Sequence, residues 1–553
     1  MTDHISKPSG RHGGSVLIEA LTQQGVERVF CVPGESFLAA LDGLYDSEID
    51  VVVNRQEGGS AMMAEADGKL TGRPGVAFVT RGPGATNAAA GVHIAFQDST
   101  PMVLFVGQVA SDQRDREAFQ EVDYRAMFGP LAKWVAEIDR TDRIPEYVSR
   151  AFHTAMSGRP GPVVLALPED VLSAPCAADV LPKAEAVGQG ASIADIHRII
   201  SDLQGSSKPF LIVGGGGWDA EARVALGNFA EAMQVPVGTS FRCQDYIDNR
   251  HPNYAGDVGI AISPTLAARI RAADQLVVLG ARLGEMTTGG YTLIDAPMPT
   301  QRLTHVHADP AELGRVYWPS HAIGAKSATV IKQLASTAKA IPQVGRAMDI
   351  EALRSAFINW KQPVTTPGPV QMERIVRHLN ETLDDGAIIT NGAGNYAGWV
   401  HRYYMFRGWR TQLAPTSGSM GYGLPAAVAA KLRHPDRDVV CFAGDGCFQM
   451  VSQEFGTACQ YCANVIILIH NNGIYGTIRM HQEKHYPGRV SGTTMVNPDF
   501  AALARSYGAF GATVEKTEDF PEAFAAARAA GTPAILDLRV SPEALTTTAR
   551  LLS

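Results

Sequence analysis

Two residues of this 553-residue chain stand out for the chemistry they could do together: Asp445 and Asn472, set 27 positions apart. Asp445 sits in Gly444-Asp445-Gly446 after the apolar run 439–443, and Asn472 closes Asn471-Asn472 after the apolar run 465–469. Each run fits a buried parallel strand, with one helix between them. Parallel strands of a crossover unit share a carboxyl edge, so the two motifs are expected to meet. A carboxylate and an amide oxygen are hard ligands suited to Mg²⁺, an ion that keeps its remaining positions for water and phosphate oxygens. The flanking glycines allow backbone N–H groups to approach a phosphate, and the following helix should begin with its positive end toward it. An organic diphosphate is the expected ligand.

A second carboxylate lies far upstream. After a short strand over 49–53 comes Asn54-Arg55-Gln56-Glu57, then a small-residue helix over 58–65, which places Glu57 at the strand's carboxyl end. A strand over 75–79 leads into Thr80-Arg81-Gly82-Pro83-Gly84-Ala85-Thr86-Asn87, and the run Ser417-Gly418-Ser419-Met420-Gly421-Tyr422-Gly423-Leu424-Pro425 precedes the Asp445 unit.

Taken together, these segments resemble the thiamine diphosphate (ThDP) enzymes, whose metal motif is Gly-Asp-Gly, a spacer of fixed length and Asn-Asn. The resemblance implies that Asp445, Asn472 and the carbonyl of Ile474 hold Mg²⁺. It implies cofactor contacts at Glu57, Pro83, Asn87, Gly394, Asn395, Met420, Gly444, Gly446, Cys447, Ile474 and Gly476. Gly446 and Cys447 would face the diphosphate, and Met420 would wedge between the two rings. Glu57 would be the glutamate that hydrogen-bonds the aminopyrimidine; such a group is expected to be partly buried with a raised pKa. The Gly-Pro-Gly-x-Thr-Asn run, with 98–103, 107–109, Phe119-Gln120-Glu121 and Lys133, resembles acetolactate synthases, and Gln120 would line the reacting carbons.

The large catalytic subunit of acetolactate synthase is the family member this chain resembles. That enzyme decarboxylates pyruvate and adds the two-carbon fragment to a second 2-keto acid, whose carboxylate Arg282 would meet; Gln482 and Glu483 also fit. Other positions depart. His481 stands where the biosynthetic enzymes have tryptophan, Thr477 replaces a methionine, and Asn395-Tyr396 replaces Gln-His, although both residues can still donate hydrogen bonds. Leu283-Gly284-Glu285-Met286 replaces a Phe-Asp-Asp-Arg stretch near FAD. FAD therefore stays open, and the glycine run Gly214 to Gly217 is equally a plain strand-to-helix turn. The alternatives are a 2-keto acid decarboxylase or 2-hydroxyacyl lyase without ligation, and a flavin-dependent relative of pyruvate oxidase.

Length and composition bound the rest. At about 150 residues per domain the chain holds three or four, and the motifs favour three doubly wound parallel-sheet, Rossmann-like α/β domains. Their expected spans are 1–178 (pyrimidine-binding), 190–345 (central) and 365–553 (pyrophosphate- and Mg-binding), separated by turn-rich breaks at 174–192 and 342–369. Apolar content of 45% with no bilayer-length apolar run indicates a soluble globular protein. The first eleven residues are polar and carry no signal-peptide core, so a cytoplasmic home is expected. A formal charge of −8 argues against a nucleic-acid partner. Seven cysteines in so long a chain suggest reduced thiols, and Cys459-x-x-Cys462 has no second pair to complete a zinc site. His470, His481 and His485 are candidates for the pocket mouth. By the resemblance, Glu57 serves a cofactor held by a neighbouring subunit, which implies a homodimer at least, or a homotetramer, acting on small 2-keto acids.

Overall fold

The computed structural model describes residues 10–340 and 344–551. The polar N-terminal stretch read above lies mostly outside the described residues, as do 341–343 within the second break. The chain forms two compact units, 1–187 and 188–553.

The first unit is built on one parallel sheet with strands β1 (Arg28–Cys31), β2 (Asp50–Val53), β3 (Gly75–Val79), β4 (Met102–Gln108), β5 (Trp134–Glu137) and β6 (Pro162–Pro168), in the order β2-β1-β3-β4-β6-β5. Strands β3, β4 and β6 are buried throughout, as their unbroken apolar runs require. The expected small-residue helix runs over Glu57–Thr71 and packs its glycines and alanines against the helix Pro83–Asp98. Small residues are needed there because a Cβ on Gly91 would lie 2.4 Å from that of Ala61.

The second unit holds two sheets. Strands β7 (Pro209–Val213), β8 (Val237–Ser240), β9 (Tyr254–Val258), β10 (Gln275–Leu279), β11 (Arg302–His307) and β12 (His321–Gly324) take the order β12-β11-β10-β7-β8-β9. Numbered within the domain this is 6-5-4-1-2-3, the doubly wound order of dinucleotide-binding folds. Strands β13 (Ile388–Asn391), β14 (Gln412–Leu413), β15 (Val439–Gly444), β16 (Ile466–Asn471), β17 (Phe510–Val514) and β18 (Ala534–Arg539) take the order β14-β13-β15-β16-β18-β17, the same pattern as the first sheet. All three sheets are parallel, so each gathers its strand ends, and the loops that follow them, on one edge.

The stretch read as a break at 342–369 contains the helix Val344–Trp360. Its Leu353 and Phe357 are buried in the two cores flanking the central sheet. Apolar residues lie on its exposed side as well, Val344 and Met348 among them, so no single apolar face stands out in the sequence and tertiary packing decides the outcome. Among the described residues, no helix is long and apolar enough to cross a membrane.

Candidate active site

In the third sheet the chain leaves β13 toward β14 on one side and returns on the other side with β15. The carboxyl ends of β13 and β15 therefore flank a topological switch point, where open parallel sheets leave a crevice. Gly394 and Asn395 follow β13, and Asp445, Gly446 and Cys447 follow β15. The register pairs Gly444 of β15 with His470 of β16, which puts Asp445 level with Asn471-Asn472 as expected.

Asp445 is 3% exposed, and its carboxylate is held by four donors. Oδ1 accepts the N–H of Gly446 at 2.8 Å; Oδ2 accepts the N–H of Asn472 at 3.1 Å, that of Gly473 at 2.7 Å and Asn497 Nδ2 at 2.7 Å. Asn472 Oδ1 accepts the N–H of Ile474 at 3.2 Å, folding the ligand loop back on itself. Gly473 makes that turn with φ +69°, a conformation open to glycine. Asp445 Oδ1 and Asn472 Oδ1 each accept one hydrogen bond here and keep lone pairs, so the donor set fits an oxygen-seeking divalent ion. Gly476 starts the helix Gly476–His485, beside the Asn472 amide.

An open cleft of about 370 Å³ is lined by Gly446, Gln449, Met450, Tyr475, Met495 and Val496. A side chain at 446 would close it, since a Cβ there would sit 2.8 Å from the Tyr475 ring and 3.1 Å from Met495 Sδ. Met420 packs against the domain core while remaining partly exposed.

Some local expectations change. The segment between β15 and β16 is two short helices, Asp445–Gln449 and Glu454–Gln460, because the chain turns at 450–453. Five residues make a weak dipole, so individual N–H groups carry the anion affinity that a full helix was expected to supply. The Cys447 side chain faces inward: its Sγ accepts hydrogen bonds from the N–H of Gly421 at 3.1 Å and from Tyr396 OH at 3.2 Å. The Tyr396 hydroxyl also accepts the N–H of Gly392 at 3.0 Å, so it is used inside the domain. His470 is likewise a core residue, against Trp399 with ring centroids 5.4 Å apart, and burial lowers its pKa to about 4. His481 and His485 are exposed and stacked on each other. Cys459 is half-buried and Cys462 exposed, and no cluster of three or more His, Cys, Asp or Glu suited to a metal occurs among the described residues.

In the first unit, Glu57 opens its helix at the carboxyl end of β2 and is half-buried. Its Oε2 accepts Asn87 Nδ2 at 2.9 Å, and Gly84 lies against the carboxylate, where a Cβ would approach Oε1 to 3.3 Å. Pro83 is the first residue of the helix carrying Asn87. Gln120, in the left-handed region at φ +65°, places its carbonyl 2.8 Å from where a Gly82 Cβ would be. Glu57, Pro83, Asn87 and Gln120 thus form one neighbourhood, while the Asp445 cradle and Arg282 belong to the second unit.

Arg282 follows β10 and faces Glu312 of its own domain at 3.5 Å. The neighbouring carbonyl of Ala281 is bonded to His305 Nε2 at 3.0 Å, and burial lowers the pKa of His305 to about 4. Packing explains the first two glycines of the central-domain run. A Cβ on Gly214 would lie 1.8 Å from Ser240 Oγ, and one on Gly215 would lie 2.0 Å from the Gly280 carbonyl. Their own carbonyls accept Trp218 Nε1 at 2.9 Å and Tyr246 OH at 2.5 Å.

Two residues of the cradle escaped the sequence reading. Asn497 bridges Asp445 and Asn471, donating to Asn471 Oδ1 at 2.8 Å; its only trace in the sequence is the turn-forming Asn497-Pro498 pair. Arg242 reaches from the central domain to the carbonyls of Gly392 and Pro415, tying down both loops that flank the cradle. Nothing local to Arg242 announces that role.

Three family models match the chain: the thiamine pyrophosphate enzyme N-terminal TPP binding domain over residues 11–127, the central domain over 196–334 and the C-terminal TPP binding domain over 392–538. The chain is 31% identical to the acetolactate synthase large subunit of Corynebacterium glutamicum, over 97% of this chain and 88% of that protein. It is 32% identical to the acetolactate synthase large subunit of Parasynechococcus marenigrum, over 96% of this chain and 88% of that one. A probable acetolactate synthase large subunit of Methanocaldococcus jannaschii is 30% identical over 96% and 92%. The end-to-end match, the three sheets and the motifs at their strand ends together identify the chain as a thiamine pyrophosphate-dependent enzyme of the acetolactate synthase large-subunit family.

Proposed function

We propose that this protein is a ThDP- and Mg²⁺-dependent carboligase that decarboxylates a 2-keto acid, pyruvate above all, and joins the fragment to a second keto acid. The observation that carries the reading is the Asp445 carboxylate, held by three backbone N–H groups and Asn497 at the switch point beside Asn472. Asp445, Asn472 and the Ile474 carbonyl would hold the metal, and Gly446 and Cys447 would face the diphosphate. The chemistry that ThDP supplies when bound is stabilisation of the negative charge left at the keto carbon after CO₂ departs. Glu57 would exchange a proton with the aminopyrimidine, oriented by Asn87. Gln120 would line the reacting carbons, and Arg282 would pair with the carboxylate of the second keto acid.

We further propose a homodimer as the smallest active form. Glu57 and Asp445 sit in different units of the chain, and the cleft is bordered by unusually exposed apolar side chains, Val496 at 98% and Met450 at 50%. Apolar groups in such a position favour being covered. A cytoplasmic home is supported by seven free cysteines, five of them buried.

A second reading, release of an aldehyde without ligation, is favoured by one observation: His481 is exposed where biosynthetic synthases carry tryptophan. A flavin-dependent oxidase draws little support from the central glycine run, whose first two glycines are demanded by packing. Titration calorimetry of ThDP with and without Mg²⁺, on wild type and on Asp445→Ala, tests the cradle. Metal-dependent uptake that disappears in the variant is expected, and equal uptake by both proteins would rule the assignment out. Flavin absorbance of the purified protein decides the FAD question.

A further inference from the structure

Behind the Asp445 carboxylate runs a chain of polar side chains that ends on a buried charge. Asn497 Nδ2 donates to Asp445 Oδ2 at 2.7 Å and to Asn471 Oδ1 at 2.8 Å. Asn471 Nδ2 in turn donates to Asp537 Oδ1 at 2.8 Å. Asp537 belongs to β18 and is wholly buried, and its second oxygen faces Arg539 Nη2 at 2.9 Å. The sheet register brings these groups together. Asn471 pairs with Arg539, so Asp537, two residues back on the same face of β18, is its diagonal neighbour. A buried carboxylate is costly unless paired and hydrogen-bonded, which commits Asp537 to both partners.

An amide has a donor end and an acceptor end, so this chain is satisfied in one polarity. Asp537 accepts from Asn471, which turns the Asn471 amino group toward β18 and its oxygen toward Asn497. That oxygen and Asp445 then take both hydrogens of the Asn497 amino group. Gln449 Nε2 completes the set by donating to Asn497 Oδ1 at 2.9 Å. Turning Asn471 over would set its amino group against that of Asn497 and its oxygen against Asp537. Asn497 would then present its own oxygen to the Asp445 carboxylate, acceptor against acceptor.

We propose that Asp537 is a positioning residue for the metal site: through Asn471 and Asn497 it fixes the amide polarity that keeps a donor on Asp445 Oδ2, and so holds that carboxylate in the orientation that binds Mg²⁺. The inference rests on the reading of Asp445 and Asn472 as the ThDP cradle. Both oxygens of Asp537 are required. Asp537→Asn leaves one oxygen for two donors: facing it to Arg539 puts an amino group against Asn471, and facing it to Asn471 puts an amino group against the guanidinium.

The test follows ThDP uptake by calorimetry as Mg²⁺ is varied, on wild type, Asp537→Asn, Arg539→Met and the double variant, with circular dichroism to establish that each is folded. Asp537→Asn should raise the Mg²⁺ concentration for half-maximal uptake about tenfold or more, as loss of a group that orients a metal ligand typically does, and excess metal should restore uptake. Arg539→Met removes a partly exposed ion pair and should stay within about twofold of wild type. Added to Asp537→Asn, it should recover most of the loss, because the amide oxygen is then free to face Asn471. A simple packing defect at 537 would not be rescued that way. Wild-type metal dependence in Asp537→Asn, or a double variant no better than the single one, overturns the proposal. Asn471→Ala cuts the same chain at an uncharged link and should weaken Mg²⁺ comparably; wild-type dependence there overturns the proposal even where Asp537→Asn does not fold. Wild type that takes up no ThDP at any Mg²⁺ concentration overturns the cradle itself, an outcome distinct from a wild type that binds and variants that match it.

Discussion

Asp445 Oδ2 and the backbone nitrogen of Gly473 lie 2.7 Å apart across 28 positions of chain. Two strand ends are thereby joined through one carboxylate, and the loop at 472–473 cannot move without breaking hydrogen bonds to Asp445. Removing the carboxylate should therefore do two things. Asp445→Ala should lose most Mg²⁺-dependent ThDP binding and also lower the melting temperature, because the N–H groups of Gly446, Asn472 and Gly473 lose their acceptor. Each such loss costs about 1–3 kcal/mol where water cannot replace it. Calorimetry paired with thermal unfolding checks both effects, and an unchanged melting temperature would contradict the bonding described.

Asn497 donates to the Asp445 carboxylate, the proposed Mg²⁺ ligand, and so orients it. Residues that orient metal ligands typically contribute about 10–100-fold to metal affinity. Asn497→Ala should weaken Mg²⁺ by a factor in that range, and excess Mg²⁺ should restore the rate. A rate that no metal concentration restores would give Asn497 another role.

Arg242 holds the carbonyls of Gly392 and Pro415 from the neighbouring domain. Hydrogen bonds to a charged donor contribute about 1.5–3 kcal/mol each. Arg242→Ala should destabilise the protein by several kcal/mol in urea unfolding and loosen ThDP binding, since both anchored loops border the crevice. Lysine can reach only one carbonyl at a time and should recover part of the loss.

Stability should fall in mild acid, and His305 is one identifiable cause. Its pKa is lowered from 6.5 to about 4 by burial, with a smaller opposing effect from the Ala281 carbonyl. Between those two values the unfolded chain binds a proton that the folded chain does not. Stability is therefore complete above pH 6.5 and declines as pH falls toward 4, by about 3 kcal/mol from this residue. His305→Gln keeps a neutral donor, so urea midpoints measured from pH 4 to 7.5 should show a shallower acid decline than in wild type.

The parts of the molecule legible in the sequence were those with a strict period or a strict spacing. The runs 439–443 and 465–469 each lie almost wholly within a strand, and parallel pairing then brings Asp445 and Asn472 together. Glu57 at its strand end followed from the same logic. Side-chain direction was not legible. Cys447, Tyr396 and His470 all lie near the crevice in sequence, yet their side chains turn into the core, a choice made by packing partners such as Trp399 that are distant along the chain. Asn497 and Arg242 were missed for the same reason: each acts over a gap that no local pattern bridges. The helix Val344–Trp360 hid in a stretch read as a break, because apolar residues such as Val344 and Met348 are exposed and only Leu353 and Phe357 commit it to a core.

Glu57 is the residue on which turnover should depend most. Glu57→Gln should bind ThDP within a few-fold of wild type and lose activity by a factor of about 10²–10⁴, the usual contribution of a positioned acid–base group. Circular dichroism should be unchanged, and full activity in the variant would remove Glu57 from the mechanism.

The most direct test of carboligation is one incubation of the protein with ThDP, Mg²⁺ and pyruvate, with acetolactate and acetaldehyde quantified separately. Acetolactate as the main product, lost on omission of either ThDP or Mg²⁺, is the predicted result. Acetaldehyde alone, or acetolactate formed without ThDP, would contradict it.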